Sequence, residues 1–112
     1  MFREKKLIPL SDEAVGLVAQ RFRVLGEPMR LQILIRLHDG ERNVTELVES
    51  IGAGQANISK HLGILADAHV ISRRREGGNV FYFISDPQIF ELCDLMCSKI
   101  RKEFSEKSKH FS

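Results

Sequence analysis

The stretch from Asn43 to Ile84 leaves this chain few ways to fold. It opens on Asn43, a helix-capping residue. Glu46 follows three positions on, the spacing at which a carboxylate reaches back to the cap's own N–H. Leu47, Val48 and Ile51 give the short helix an apolar side, and Gly52-Ala53-Gly54 breaks it. Glycine takes positive φ without strain, so a sharp change of direction belongs there. A second helix is expected from about Gln55 to Ala68. At about 100° per residue, its Ile58, Leu62, Leu65 and Ala66 fall within one apolar sector. Two β-prone runs, Val70 to Arg75 and Val80 to Ile84, then flank Glu76-Gly77-Gly78-Asn79, a hairpin signal.

Helix, glycine-bearing turn, helix and basic hairpin, in that order, predict a helix-turn-helix with a wing. The outer side of the second helix carries Ala56, Ser59, Lys60, Gly63 and Asp67, flanked by Asn57. Its small residues let a backbone approach closely. Gln55, Asn57, Ser59 and Lys60 supply donors and acceptors to the N-terminal half, where major-groove readers make base and phosphate contacts. Taken alone, this is equally an amphipathic helix with a solvent face. The hairpin tips the balance. Arg73, Arg74 and Arg75 alternate faces, and from Gln55 to Arg75 four basic residues stand against one acid, Asp67. A duplex-facing surface needs that charge, because counterion release supplies much of the binding free energy. The bland alternative is an edge hairpin charged only to avoid pairing with other strands.

Overall charge does not carry the argument. The net charge of +2 is weak, and Glu41 to Asp86 holds five basic and six acidic residues. Most of those acids lie on the supporting helix (Glu46, Glu49) or at element ends, so what matters is where the cations cluster. A length of 112 residues bounds the chain to one domain with a modest core, one that a partner would help complete. Apolar content of 43% and charged content of 29% are ordinary for a globular protein. No apolar run approaches membrane-spanning length, and the N-terminus lacks the apolar core of a signal peptide. A cytoplasmic protein without a membrane partner is expected, with its two cysteines reduced.

The flanks complete an order α-α-α-α-β-β-α. Residues 1–10 read as a loosely held segment in which Arg3, Lys5 and Lys6 are free to touch phosphate, and residues 11–109 as the domain. Ser11 can cap a helix to about Leu25, with Asp12 and Glu13 in its favourable first turn. Its Ala14, Val15, Leu17, Val18, Phe22 and Leu25 cover more than one face. Gly26-Glu27-Pro28 starts the next helix with proline at its first position, Met29, Ile33, Leu34 and Leu37 point inward, and Asp39-Gly40 ends it. Arg30 is read as a surface arginine, or else as one that reaches a phosphate. Ser85-Asp86-Pro87 launches a final helix over about 87–109, along which Ile89, Leu92, Cys93, Met96, Cys97, Ile100 and Phe104 form one stripe. The economical cover for it is the same helix of a second protomer, together with the first helix of each chain. Two reading helices would then face successive major grooves of a pseudo-palindromic operator.

Several segments together resemble the ArsR-type (arsenic-repressor-like) winged-helix repressors. They are Leu25-Gly26-Glu27-Pro28-Met29-Arg30-Leu31-Gln32-Ile33-Leu34, Val44-Thr45-Glu46-Leu47, Gln55-Ala56-Asn57-Ile58-Ser59-Lys60-His61-Leu62 and the wing from Arg73 to Tyr82. The match runs over roughly residues 14–100. It implies a homodimeric transcriptional repressor that binds operator DNA and releases it when an effector arrives. On that reading Gln55, Asn57, Ser59 and Lys60 read or clamp the major groove, joined by His61, which at the edge of the helix's inner side either meets a phosphate or simply packs, while Arg73, Arg74, Arg75 and Asn79 hold backbone and the neighbouring minor groove. Two departures stand out: Gly54 where the family usually has a Ser-like cap, and His69 where it usually has glycine. Both residue types tolerate those positions.

Cys93 and Cys97 are four apart, so on a helix their thiols face the same way. Such a pair can chelate a soft ion such as As(III), Cd(II) or Zn(II) with a third ligand from elsewhere, or be oxidised. An intrahelical disulfide at this spacing would be strained, which favours an intersubunit or mixed one. Equally, cysteine is a small hydrophobe, and both residues lie within an apolar stripe. The resemblance adds weight to a sensing pair and narrows it by exclusion. Leu47-Val48-Glu49 carries no thiol, the final helix has no histidine before His110, and residues 28–39 have no cysteine. What remains resembles the variants whose thiols are confined to the last helix, among them arsenic responders. A thiol enzyme or metal carrier is the alternative from another class; the Cys-x3-Cys spacing and apolar setting speak against it.

Overall fold

A computed structural model describes residues 9–111, with side chains to residue 107. Most of the residues 1–10 segment, including Arg3, Lys5 and Lys6, lies outside the described residues. The element order is α1 (Asp12–Leu25), α2 (Pro28–His38), α3 (Val44–Ile51), α4 (Gln55–Asp67), β1 (Ile71–Glu76), β2 (Asn79–Ile84) and α5 (Pro87–Phe111). This is the winged helix-turn-helix expected from the sequence, with the last helix running two residues past the anticipated end.

Local chemistry fixes the helix starts. Ser11 Oγ accepts from the Ala14 N–H at 3.1 Å. The Glu27 side chain caps α2 from outside, accepting from the Arg30 N–H at 3.1 Å, and Pro28 follows where no N–H is needed. Asn43 and Glu46 form a reciprocal capping box, with bonds of 2.8 and 2.9 Å. Gly52, at φ +82°, ends α3 in the left-handed region and turns the chain toward α4. His69 enters the same region at φ +62°, the position where the sequence departs from glycine.

The core is built by Ile33, Leu34 and Leu37 of α2, Leu47 of α3, Ile58, Leu62 and Leu65 of α4, and Val70 and Ile71 at the base of the wing. The Arg36 guanidinium, donating to Ser50 Oγ at 2.8 Å, ties α2 to α3. Among the described residues, α1 adds one buried side chain to this core, Leu25, with Val24 packed beside it, and α5 adds Cys93, with Ile89 beside it. Much of those two helices' other apolar surface lies open: Val15, Leu17, Val18 and Phe22 on α1, and Leu92, Leu95, Met96, Ile100 and Phe104 on α5. The molecule is correspondingly a slab, 52 × 48 × 20 Å, with a radius of gyration of 16.9 Å. A closed globule of this length would have about 13 Å.

Candidate nucleic-acid interface

α4 divides into two faces. Ile58, Leu62 and Leu65 are fully buried, while Gln55, Asn57, Ser59 and Lys60 are exposed. Its N-terminus rests on Gly54 with no side-chain cap, so the first N–H groups of the helix stay unspent and positive in character. Polar side chains and unspent N–H groups at one helix end form a surface suited to phosphate and base edges.

His61 does not belong to that face. It is 6% exposed and turned inward. Its Nδ1 lies 3.1 Å from Nη1 of Arg30 and 3.8 Å from the Glu27 carboxylate. Of the two roles open to it, a phosphate contact or packing, its burial favours packing: on the helical wheel it stands at the edge of the inner sector, and tertiary packing draws it in. Arg30 is neither the surface arginine nor the phosphate contact anticipated. Its guanidinium folds back to donate to the carbonyls of Arg23 and Val24 in the last turn of α1.

The wing pairs Ile71 with Ile84 through Glu76 with Asn79, closed by Gly77-Gly78 with Gly77 at φ +61°. This two-residue loop needs positive φ, which glycine supplies. Arg42 extends the ribbon by pairing its backbone N–H and carbonyl with those of Tyr82. Because strand side chains alternate, Arg73 and Arg75 share one face and Arg74 takes the other. All three are exposed, as is Asn79. Arg73 lies against the Tyr82 ring, 5.9 Å from its centroid. Arg74 is engaged within the chain. It stacks 5.0 Å from the Phe81 centroid, donates through Nε (3.0 Å) and Nη2 to the Glu41 carboxylate, and approaches Glu76 at 3.6 Å. The hydrogen bond from Arg74 holds Glu41 below the usual carboxylate range, and the same bond raises the guanidinium's own value. Sequence reading missed Glu41: its only signal was an acid just ahead of the capping box, 33 residues from its partner.

Along α5, Cys93 is buried and Cys97 half-buried. Both line an apolar groove of about 620 Å³ between α1, the start of α2 and α5, together with Phe22, Leu31, Met96 and Phe104. Burial, and then the neighbouring Cys97, push the Cys93 thiol up, which favours the neutral form. Among the described residues, no group of three His, Cys, Asp or Glu side chains is arranged to hold a metal ion. One chain therefore offers a soft ion two thiols at most. On the α2 side of α5, His38 stacks on Phe90 with centroids 4.3 Å apart, a packing contact that the sequence did not flag.

Comparison with known proteins agrees with this geometry. The family model described as bacterial regulatory protein, arsR family, matches residues 27–73. The HTH-type transcriptional regulator KmtR of Mycobacterium tuberculosis is 35% identical over 92 residues, covering 82% of this chain and 71% of that protein. The crystal structure of the AntR antimony-specific transcriptional repressor is similar with a TM-score of 0.80 at 27% identity, over 90% of this chain and 92% of that one. The homodimeric winged helix-turn-helix DNA-binding domain of Mb0332 from Mycobacterium bovis is similar with a TM-score of 0.76 at 26% identity, over 89% and 95% of the two chains.

Proposed function

Since the chain belongs to the arsR family of bacterial regulatory proteins, and is thus a transcriptional regulator and not an enzyme, we propose that it represses transcription as a homodimer on a pseudo-palindromic operator. The observation that carries this reading is the exposed, uncapped N-terminal half of α4, followed at once by an arginine-bearing wing. Gln55, Asn57, Ser59 and Lys60 read or clamp the major groove, and Arg73, Arg75 and Asn79 hold the flanking backbone and minor groove. Arg74 serves chiefly as a tether, since its charge is spent on Glu41. The open faces of α1 and α5 pack against their counterparts in the partner; that the similar Mb0332 domain is homodimeric supports the pairing.

The effector acts at Cys93 and Cys97, as a thiophilic metalloid or metal ion such as As(III) or as a thiol oxidant. The shared groove supports this, since a ligand bound there would alter how α5 packs. With two thiols per chain, a three-coordinate ion takes its last ligand from elsewhere or from the partner. The antimony-specific AntR supports the metalloid class. Burial of Cys93 favours a second reading, in which both cysteines are packing atoms and the inducer acts elsewhere.

Fluorescence anisotropy on a duplex taken from immediately upstream of its own coding sequence tests both readings, with and without As(III), Cd(II), Zn(II) and a persulfide. Tight, salt-sensitive binding is expected, with release by at least one of the four in the wild type and by none in Cys93→Ser or Cys97→Ser. Variants that respond as the wild type does would leave the packing reading standing.

A further inference from the structure

Among the described residues, His61 is the one polar side chain buried in the core, and it sits on the helix that carries the reading face. Its only close hydrogen-bonding partner is Arg30 Nη1, at 3.1 Å from Nδ1 and 31 residues away in sequence. A guanidinium has donors and no acceptor, so Nδ1 must accept. The imidazole is then neutral, with its proton on Nε2. Two further donors of the same guanidinium go to the carbonyls of Val24 and Arg23 in the last turn of α1, the second of which also accepts from the Gly26 N–H. Glu27, whose carboxylate caps the Arg30 backbone N–H, flanks the assembly. One planar cation thus joins the last turn of α1, the first turn of α2 and the middle of α4.

We propose that Arg30 and His61 are positioning residues for operator binding: the Arg30 guanidinium is a strut that sets α4 at a fixed place relative to α1, with neutral His61 Nδ1 as its seat. The proposal rests on the reading of α4 as the DNA-reading helix and of α1 as part of the dimer face. α1 meets the body of the domain largely through α2 and the buried Leu25, and the strut adds a polar link from its last turn to α4. In a dimer, the distance between two reading helices is the sum of such intrachain registrations and the pairing geometry. A loose seat for α4 therefore costs affinity even when every contacting side chain is intact. Arg30 meets three acceptors through its three separate guanidinium nitrogens, which the point charge of lysine cannot reproduce.

The test compares the full-length wild type with His61→Leu, His61→Asn, Arg30→Lys and the double variant Arg30→Lys/His61→Leu. Each is titrated against the upstream duplex at several salt concentrations. His61→Leu fills the space and removes the acceptor, and is expected to lose at least tenfold in affinity while keeping its dimer mass and the wild-type salt slope. Asparagine returns an oxygen acceptor near the place of Nδ1, so His61→Asn should bind within about threefold of the wild type. Arg30→Lys should match His61→Leu, and the double variant should lose little more than either alone. Wild-type affinity in His61→Leu, or equal losses in His61→Leu and His61→Asn, would overturn the proposal. The ¹⁵N spectrum of the wild-type imidazole decides even if His61→Leu fails to fold: Nδ1 must appear unprotonated and Nε2 protonated, and the opposite tautomer rules the strut out. Absence of wild-type binding would instead defeat the underlying DNA-binding reading.

Discussion

The Arg74 guanidinium and the Glu41 carboxylate are joined by two hydrogen bonds across 33 residues of chain, pinning the wing to the loop ahead of α3. Among the described residues Arg74 is ion-paired, whereas no ion pair holds Arg73 or Arg75. Arg75→Ala should weaken duplex binding and reduce the salt slope by about two per dimer, one counterion from each wing. Arg74→Ala should weaken binding only a few-fold and leave the slope nearly unchanged, and Glu41→Gln should act in the same direction. Anisotropy titrations at a series of salt concentrations measure both quantities.

That tether also has a pH signature. Arg74 lowers the Glu41 carboxyl, so the contribution of the pair is complete above the ordinary glutamate value of about 4.3. It is lost as pH falls through the lower folded value. Wing resonances in NMR should hold steady down to that ordinary range and shift only below it, and in Arg74→Ala the shift should move upward in pH.

On α4 the contrast lies between residues that specify and residues that position. Asn57→Ala is expected to cost about 1–3 kcal/mol on the preferred duplex and to relax discrimination at one base pair of each half-site. Lys60→Ala should weaken all duplexes alike. Competition with single-base variants of the upstream duplex separates the two behaviours.

Phe22 of α1 and Ile100 of α5 are 55% and 40% exposed and line one groove. A carboxylate there would be stranded in an apolar interface. Phe22→Asp and Ile100→Asp should sediment as monomers with helical content kept, and should bind the duplex more than a hundredfold more weakly.

Burial and Cys97 raise the Cys93 thiol, so the folded chain holds that proton more tightly than the unfolded one does. The stabilisation is complete below the free-thiol value of about 8.5 and is lost as pH rises through the folded value. Urea midpoints should therefore drop between pH 8 and 10 in the wild type and drop less in Cys93→Ser. At pH 8, iodoacetamide should label half-buried Cys97 before Cys93, as peptide mass mapping would show.

What could be read from the chain alone was what neighbouring residues decide. Ser11, Pro28 and the Asn43/Glu46 pair mark helix starts through bonds spanning three residues or fewer, and the apolar spacing of α2 and α4 follows from helical period. His69 was recognised as a residue at a glycine position, and its φ of +62° agrees. The partners of Arg30, His61 and Arg74 were not legible, because charge and wheel position were all that local pattern offered. Their partners lie in other elements, and only folding reveals that a carbonyl, an imidazole or a carboxylate waits there.

The open faces of α1 and α5 bear on how much of the protein a cell must keep. If two copies must meet before either can grip the duplex, then below the concentration that sustains the pair, occupancy grows as the square of the subunit level. Halving the concentration of chain, as growth through one cell doubling without new synthesis does, would cut occupancy by about fourfold. Repression thereby acquires a threshold in abundance, set by Phe22, Met96 and their neighbours and independent of any inducer.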